Sequence, residues 1–208
     1  MTALNLRPPP PADLRIVRRP TLIIRGLGQL PMRPAVVADY RRTTTLVEVM
    51  PFAWSGLTGP ENYAHKVAAV LRSFRERVGG PFNIVAHSMG GLASLYALKH
   101  LQTPTDVLSV VTFGTPYDGV PAAWWTRSNP LLRRYTAAFR PNSRFLAEMH
   151  EGDPPPDVRL VSLAGTDDWL CPAACCQLHG SEYLRLPLAH NDFLWNRSLH
   201  AIIRSFLF

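Results

Sequence analysis

Short apolar runs alternate with stretches of helical spacing along most of this 208-residue chain. Thr21-Leu22-Ile23-Ile24 is a compact apolar run that predicts a short buried strand. Thr43 to Val49 is β-branched and predicts a second, with a short helix over Ala35 to Arg41 between them. From Asn62 to Val78, the apolar residues Val67, Val70, Leu71, Phe74 and Val78 share one helical face, and Gly79-Gly80-Pro81 ends it. A strand beginning at Phe82 then runs straight into Ala86-His87-Ser88-Met89-Gly90, followed by a helix-forming segment that reaches about Leu101. Further strands are predicted at Asp106 to Phe113, Val158 to Leu163 and Tyr183 to Leu186. Residues 192–207 predict a C-terminal helix with Trp195, Leu199, Ile202, Ile203 and Phe206 on one stripe. About six strands alternating with helices predict an α/β fold, its mostly parallel sheet covered on both faces.

Two segments break this rhythm. Residues 1–20 read as a loose N-terminal leader before a single domain over 21–208. Residues 117–156 contain no predicted strand but carry Trp124, Trp125, Tyr135, Phe139, Phe145, Leu146 and Met149. An insert this long inside a compact domain is usually functional or mobile. It reads either as a cap or lid over a pocket, or as helices packed permanently on the body.

Composition narrows the class of protein. Hydrophobic content of 47% and charged content of 18% suit a globular chain with a sizeable core. No apolar run approaches the roughly 18–20 residues of a membrane span, and the start of the chain lacks the apolar core of a secretory signal. Cytoplasmic residence is therefore expected. The net charge of +7 raises the question of nucleic acid, but the basic residues fall in isolated pairs such as Arg18-Arg19, Arg41-Arg42 and Arg133-Arg134, with no interleaved aromatics. No nucleic-acid partner is expected. Cys171, Cys175 and Cys176 lie near His179, but this spacing matches no strong zinc pattern. They are read as small apolar residues at the start of a helix, and no metal is expected.

Ser88 stands at a strand-to-helix turn between the small residues Ala86 and Gly90, the context of a nucleophile elbow. A serine hydroxyl becomes a nucleophile only when a base takes its proton and a third group orients that base. In an open parallel sheet such partners lie just beyond the carboxyl ends of later strands. Two loops qualify: Gly165-Thr166-Asp167-Asp168-Trp169-Leu170-Cys171-Pro172, and Ala189-His190-Asn191. The order serine, aspartate, histidine is the one expected of an α/β-hydrolase. His87 adjoins the serine, but neighbours in a tight turn point apart, so it is read as structural.

From Pro20 to Phe208 the chain resembles small lipases and esterases of the α/β-hydrolase superfamily. The resemblance rests on Ile23-Ile24-Arg25-Gly26-Leu27-Gly28, with Arg25 where lipases usually have histidine, on Ala86-His87-Ser88-Met89-Gly90-Gly91, on Phe113-Gly114-Thr115-Pro116, on the aspartate loop and on His190, in that order. It implies Ser88 as nucleophile, His190 as base and Asp168 as orienting acid. Asp168 is favoured over Asp167 because the family's acid usually stands four residues before a proline. It further implies an oxyanion hole from the backbone N–H groups of Leu27 and Met89. Leu27, Trp124 and Trp125 are the candidate substrate-binding residues. The implied activity is hydrolysis of carboxylic esters with lipidic acyl chains, without a metal or organic cofactor. Thioesterase, amidase or acyltransferase chemistry on the same residues remains open, as does transient contact with a lipid interface. A non-catalytic binding module of the same fold is the alternative from another class.

Overall fold

The computed structural model describes residues 19–26, 31–51, 59–103, 106–121, 136–153 and 156–208. Among them lie β1 (Thr21–Ile24), α1 (Pro34–Thr43), β2 (Val47–Val49), α2 (Pro60–Val78), β3 (Phe82–His87) and α3 (Met89–His100). Then follow β4 (Val107–Phe113), α4 (Arg144–His150), β5 (Arg159–Gly165), β6 (Glu182–Leu186) and α5 (Arg197–Ser205). The six strands form one sheet in the order β2-β1-β3-β4-β5-β6. Every neighbouring pair is parallel, so all six strands end on the same edge.

The alternation of side chains along a strand decides which helices cover which face. Leu22 and Ile24 of β1 and Phe82, Ile84 and Ala86 of β3 pack with Val67, Leu71 and Phe74 of α2 and Leu92 and Leu95 of α3. Ile23, Val85, Val111, Phe113, Val161 and Leu163 point the other way, onto Val36 and Tyr40 of α1 and Leu199 and Ile203 of α5. All six residues of β3 are buried, which is why this strand reads as an almost unbroken apolar run. Fully burying one such aliphatic side chain contributes about 1.5–3 kcal/mol.

Two boundaries differ from the sequence expectation. Thr43 ends α1 instead of starting a strand, and its hydroxyl donates to the carbonyls of Asp39 and Tyr40. The C-terminal helix is split. A short 3-10 turn spans His190–Leu194, and α5 begins afresh where the Asn196 side chain accepts from the Leu199 N–H at 3.1 Å. Trp195 falls in the break and is 47% exposed, so it does not belong to the buried stripe. His179 lies in a turn.

Of the 117–156 insert, the structure describes 117–121, 136–153 and residue 156; Trp124 and Trp125 lie outside the described residues. Phe139, Phe145, Leu146 and Met149 share a core with Tyr117, α2 and α3. The Phe145 ring stacks on Tyr96 of α3 at 5.1 Å, and Lys99 Nζ donates to the Met149 carbonyl at 2.7 Å. This part of the insert is docked on the body. No helix among the described residues is long and apolar enough to cross a membrane.

α5 is tied to α1 by Arg197, which donates to both carboxylate oxygens of Asp39 at 2.6 and 2.8 Å. Beneath that pair, Tyr40 Oη and His200 Nδ1 lie 2.9 Å apart, and His200 Nε2 donates to the Phe193 carbonyl at 2.6 Å. Burial pushes the His200 pKa down to about 4, against ~6.5 in an unfolded chain. Between those values the unfolded chain binds the extra proton, so stability rises with pH across that window. We expect about 3 kcal/mol to be lost as the pH falls from ~6.5 to ~4. Urea denaturation across that range measures the loss, and His200→Gln should reduce the dependence by this share, leaving the part contributed by buried His87.

Candidate active site

β3 ends at His87, and Ser88 takes φ 56° and ψ −130° before α3 begins at Met89. A non-glycine residue with positive φ is held there only by its surroundings. The Ser88 N–H donates to the Phe113 carbonyl at 3.0 Å. Its carbonyl accepts from the Gly91 N–H at 3.0 Å and from Thr115 Oγ1 at 3.1 Å. The small residues around it are required sterically. A Cβ on Gly26 would stand 2.6 Å from Ser88 Cβ, and one on Gly90 would stand 2.6 Å from the Ile24 carbonyl oxygen. The loop after β1 and the elbow after β3 are therefore in direct contact.

β5 and β6 bring the partners. Their register pairs Gly165 with Leu186, so the loops that follow emerge side by side. His190 Nε2 lies 3.1 Å from Ser88 Oγ, and His190 Nδ1 lies 2.7 Å from Asp168 Oδ2. The second carboxylate oxygen of Asp168 accepts the backbone N–H groups of Leu170 at 3.0 Å and Cys171 at 2.7 Å. Asp168 is thus locked by its own turn and faces the imidazole. The three residues are between 3% and 9% exposed, so they meet away from bulk water yet remain reachable at the serine. Asp167, the other aspartate of this loop, is exposed, with Thr166 Oγ1 3.3 Å from its Oδ1.

Met89 is the first residue of α3, immediately after Ser88 and at the positive end of the helix dipole. Leu27, the other expected oxyanion donor and a candidate substrate contact, lies outside the described residues. The two residues preceding it are described. The Arg25 carbonyl accepts from Tyr63 Oη at 2.9 Å, and Arg25 Nη2 donates to the Met50 carbonyl at 3.2 Å. The guanidinium therefore anchors this loop to the end of β2 at the position where lipases usually carry histidine.

His87 points away from the serine, as expected, but its contacts reach the centre. Its Nε2 donates to the His190 carbonyl at 3.0 Å, and its ring stacks on Phe193 at 4.7 Å with 7° between planes. Burial, then the nearby His190, holds its pKa well below the ordinary histidine range, so the ring stays neutral. Replacing His87 by Phe keeps the stack but strips the buried carbonyl of its donor. We expect that substitution to cost about 1–3 kcal/mol in equilibrium denaturation.

Sequence reasoning passed over two further residues here. Gly114, with φ +59°, leaves room for the Asp168–His190 pair: a Cβ there would stand 3.1 Å from both Asp168 Oδ2 and His190 Nδ1. Cys171, read as a small apolar residue, is buried with its sulfur within 4.8 Å of a donor atom of Asp168 and of His190. Burial, then the Asp168 carboxylate, raises its thiol pKa well above the ordinary value. The signal for Cys171 was available in its spacing, three residues after the acid. Cys171 is buried just before a 3-10 turn over Ala173–Cys176, and Cys176 is buried within it; neither is in an α-helix.

The alpha/beta hydrolase family model matches residues 22–204 of the chain. No curated protein matches the chain. Among solved structures, the mature form of a Bacillus licheniformis lipase aligns with 96% of this chain and 90% of its own, at 16% identity and TM-score 0.65. A metagenomic carboxyl esterase aligns with 97% of this chain and 79% of its own, at 18% identity and TM-score 0.68. A monoacylglycerol lipase of Paleococcus ferrophilus aligns with 90% and 93%, at 13% identity and TM-score 0.60. At these identities the likeness is one of fold. The family match over 22–204, with the parallel sheet and the serine elbow after β3, makes the chain a member of the alpha/beta hydrolase family.

Proposed function

We propose that the chain is a serine hydrolase that cleaves carboxylic esters through an acyl-enzyme intermediate. The observation that carries this reading is the hydrogen-bonded line from Asp168 through His190 to Ser88, with the serine on a positive-φ elbow. Asp168 accepts from Nδ1–H, which leaves the Nε2 lone pair facing the hydroxyl. As Ser88 Oγ attacks the ester carbonyl carbon, Nε2 takes its proton. Negative charge then develops on the carbonyl oxygen. The N–H of Met89 and, by resemblance, that of Leu27 receive it, each such donor contributing about 3–4 kcal/mol to the transition state. His190 returns the proton to the leaving alkoxide, and the alcohol departs. Water repeats the sequence on the acyl-serine and releases the acid.

Lipidic acyl chains are the proposed substrates, with Trp124, Trp125 and Leu27 as proposed contacts. The fold neighbours support this reading, since those cited are lipases and a carboxyl esterase. The same machinery would accept a thioester. Rates on p-nitrophenyl and matched thioester substrates of increasing chain length, with and without micelles, test the assignment. An oxygen-ester preference that grows with chain length supports it. Higher turnover of the thioesters would move the assignment to a thioesterase. No turnover of any of them would support a binding module.

A further inference from the structure

Cys171 is a buried thiol in the catalytic neighbourhood that ester hydrolysis does not use. Its backbone N–H already donates to Asp168 Oδ1 at 2.7 Å. The same tight turn therefore fixes both side chains. The Cys171 sulfur, one imidazole nitrogen of His190 and one carboxylate oxygen of Asp168 lie within 4.8 Å of one another, and all three residues are buried. His190 itself is held between Asp168 Oδ2, 2.7 Å from Nδ1, and Ser88 Oγ, 3.1 Å from Nε2.

We propose that Cys171, His190 and Asp168 form a site for a thiophilic divalent cation, with Zn²⁺ as the best fit, whose occupation switches the serine centre off. Sulfur, imidazole and carboxylate together are the donor set of zinc, whereas magnesium and calcium take oxygen. Zinc bonds of ~2.0–2.3 Å put the donors of a tetrahedral site roughly 3.3–3.8 Å apart. The observed spread needs only side-chain adjustment to reach that. Charge also balances: a thiolate and a carboxylate neutralise the dication in a site poor in water. On binding, the thiol releases its proton to solvent and sulfur bonds the metal. His190 bonds the metal through Nδ1, the nitrogen 2.7 Å from Asp168 Oδ2, and its ring proton moves to Nε2, which can then no longer take the serine proton. Asp168 bonds the same ion through Oδ2, while Oδ1 keeps the backbone N–H groups of Leu170 and Cys171. The site recruits only Cys171 of the three cysteines; Cys175, Cys176 and His179 are not part of it.

Binding does not depend on the reaction proposed above, whereas the switch rests on it. The test titrates the full chain with Zn²⁺ by calorimetry and with Co²⁺ by absorption. Wild type and Cys175→Ser should each bind one equivalent, with a near-ultraviolet thiolate-to-cobalt band. Cys171→Ala should lose the band and bind at least about tenfold more weakly. In parallel, Zn²⁺ should slow fluorophosphonate labelling of wild type, reversibly with a chelator, and leave Cys171→Ala unaffected. Absence of binding, or equal binding by wild type and Cys171→Ala, overturns the site. Unchanged labelling of the zinc-loaded protein overturns the switch. If the metal-free protein is not labelled at all, the hydrolase reading fails, while the titrations still decide the site.

Discussion

Ser88→Ala is expected to lower ester hydrolysis by about 10⁴–10⁶-fold, with a thermal midpoint close to that of the parent. In the proposed reaction this hydroxyl forms the acyl-enzyme, and without it the proposed oxyanion donors and substrate binding are what remain. Alanine keeps the backbone contacts that hold the elbow, because those run through the Ser88 N–H and carbonyl to Phe113, Gly91 and Thr115. It also removes a polar atom from a residue only 9% exposed. Steady-state rates and thermal melts on the two proteins check both halves. A loss below tenfold would mean the chemistry lies elsewhere.

Asp168→Asn is expected to cost about 10⁴-fold in kcat while the protein stays folded. The reason is a conflict of donors. Asp168 Oδ1 accepts two backbone N–H groups, and Oδ2 faces His190 Nδ1. An asparagine can satisfy the backbone only with its oxygen, which turns its NH₂ toward the imidazole. Nδ1 must then accept, the ring proton moves to Nε2, and Nε2 can no longer take the serine proton. Stopped-flow or steady-state rates with a folded control by circular dichroism measure this. Because kcat falls without loss of the pocket, KM should change far less. The substitution also separates Asp168 from Asp167, since Asp167→Asn touches none of these contacts and should leave kcat unchanged.

How far the sequence reached follows from the range of each signal. Strands and the elbow were legible because they are local: β3 is buried on both faces, and the turn at Ser88 needs small neighbours within a few residues. The order of serine, aspartate and histidine was legible because a parallel sheet sends every strand to the same edge. What could not be read depends on contacts distant in sequence. The support for Arg25 comes from Tyr63 and Met50, and His200 is buried by Tyr40, 160 residues away. The apolar stripe over 192–207 concealed a break, because a period of 3.6 continues through Asn196 although its side chain starts a new helix there. Cys171 was legible as buried, but not as a neighbour of both Asp168 and His190. That required knowing how tightly the turn after Asp168 folds back.

Ser88 is proposed to be an activated nucleophile. Intact-mass analysis after fluorophosphonate treatment tests it most directly. A single adduct is expected, mapped to the peptide holding Ser88, absent in Ser88→Ala and much slower in Asp168→Asn. An unmodified wild-type protein, or an adduct of equal extent in Ser88→Ala, would contradict it.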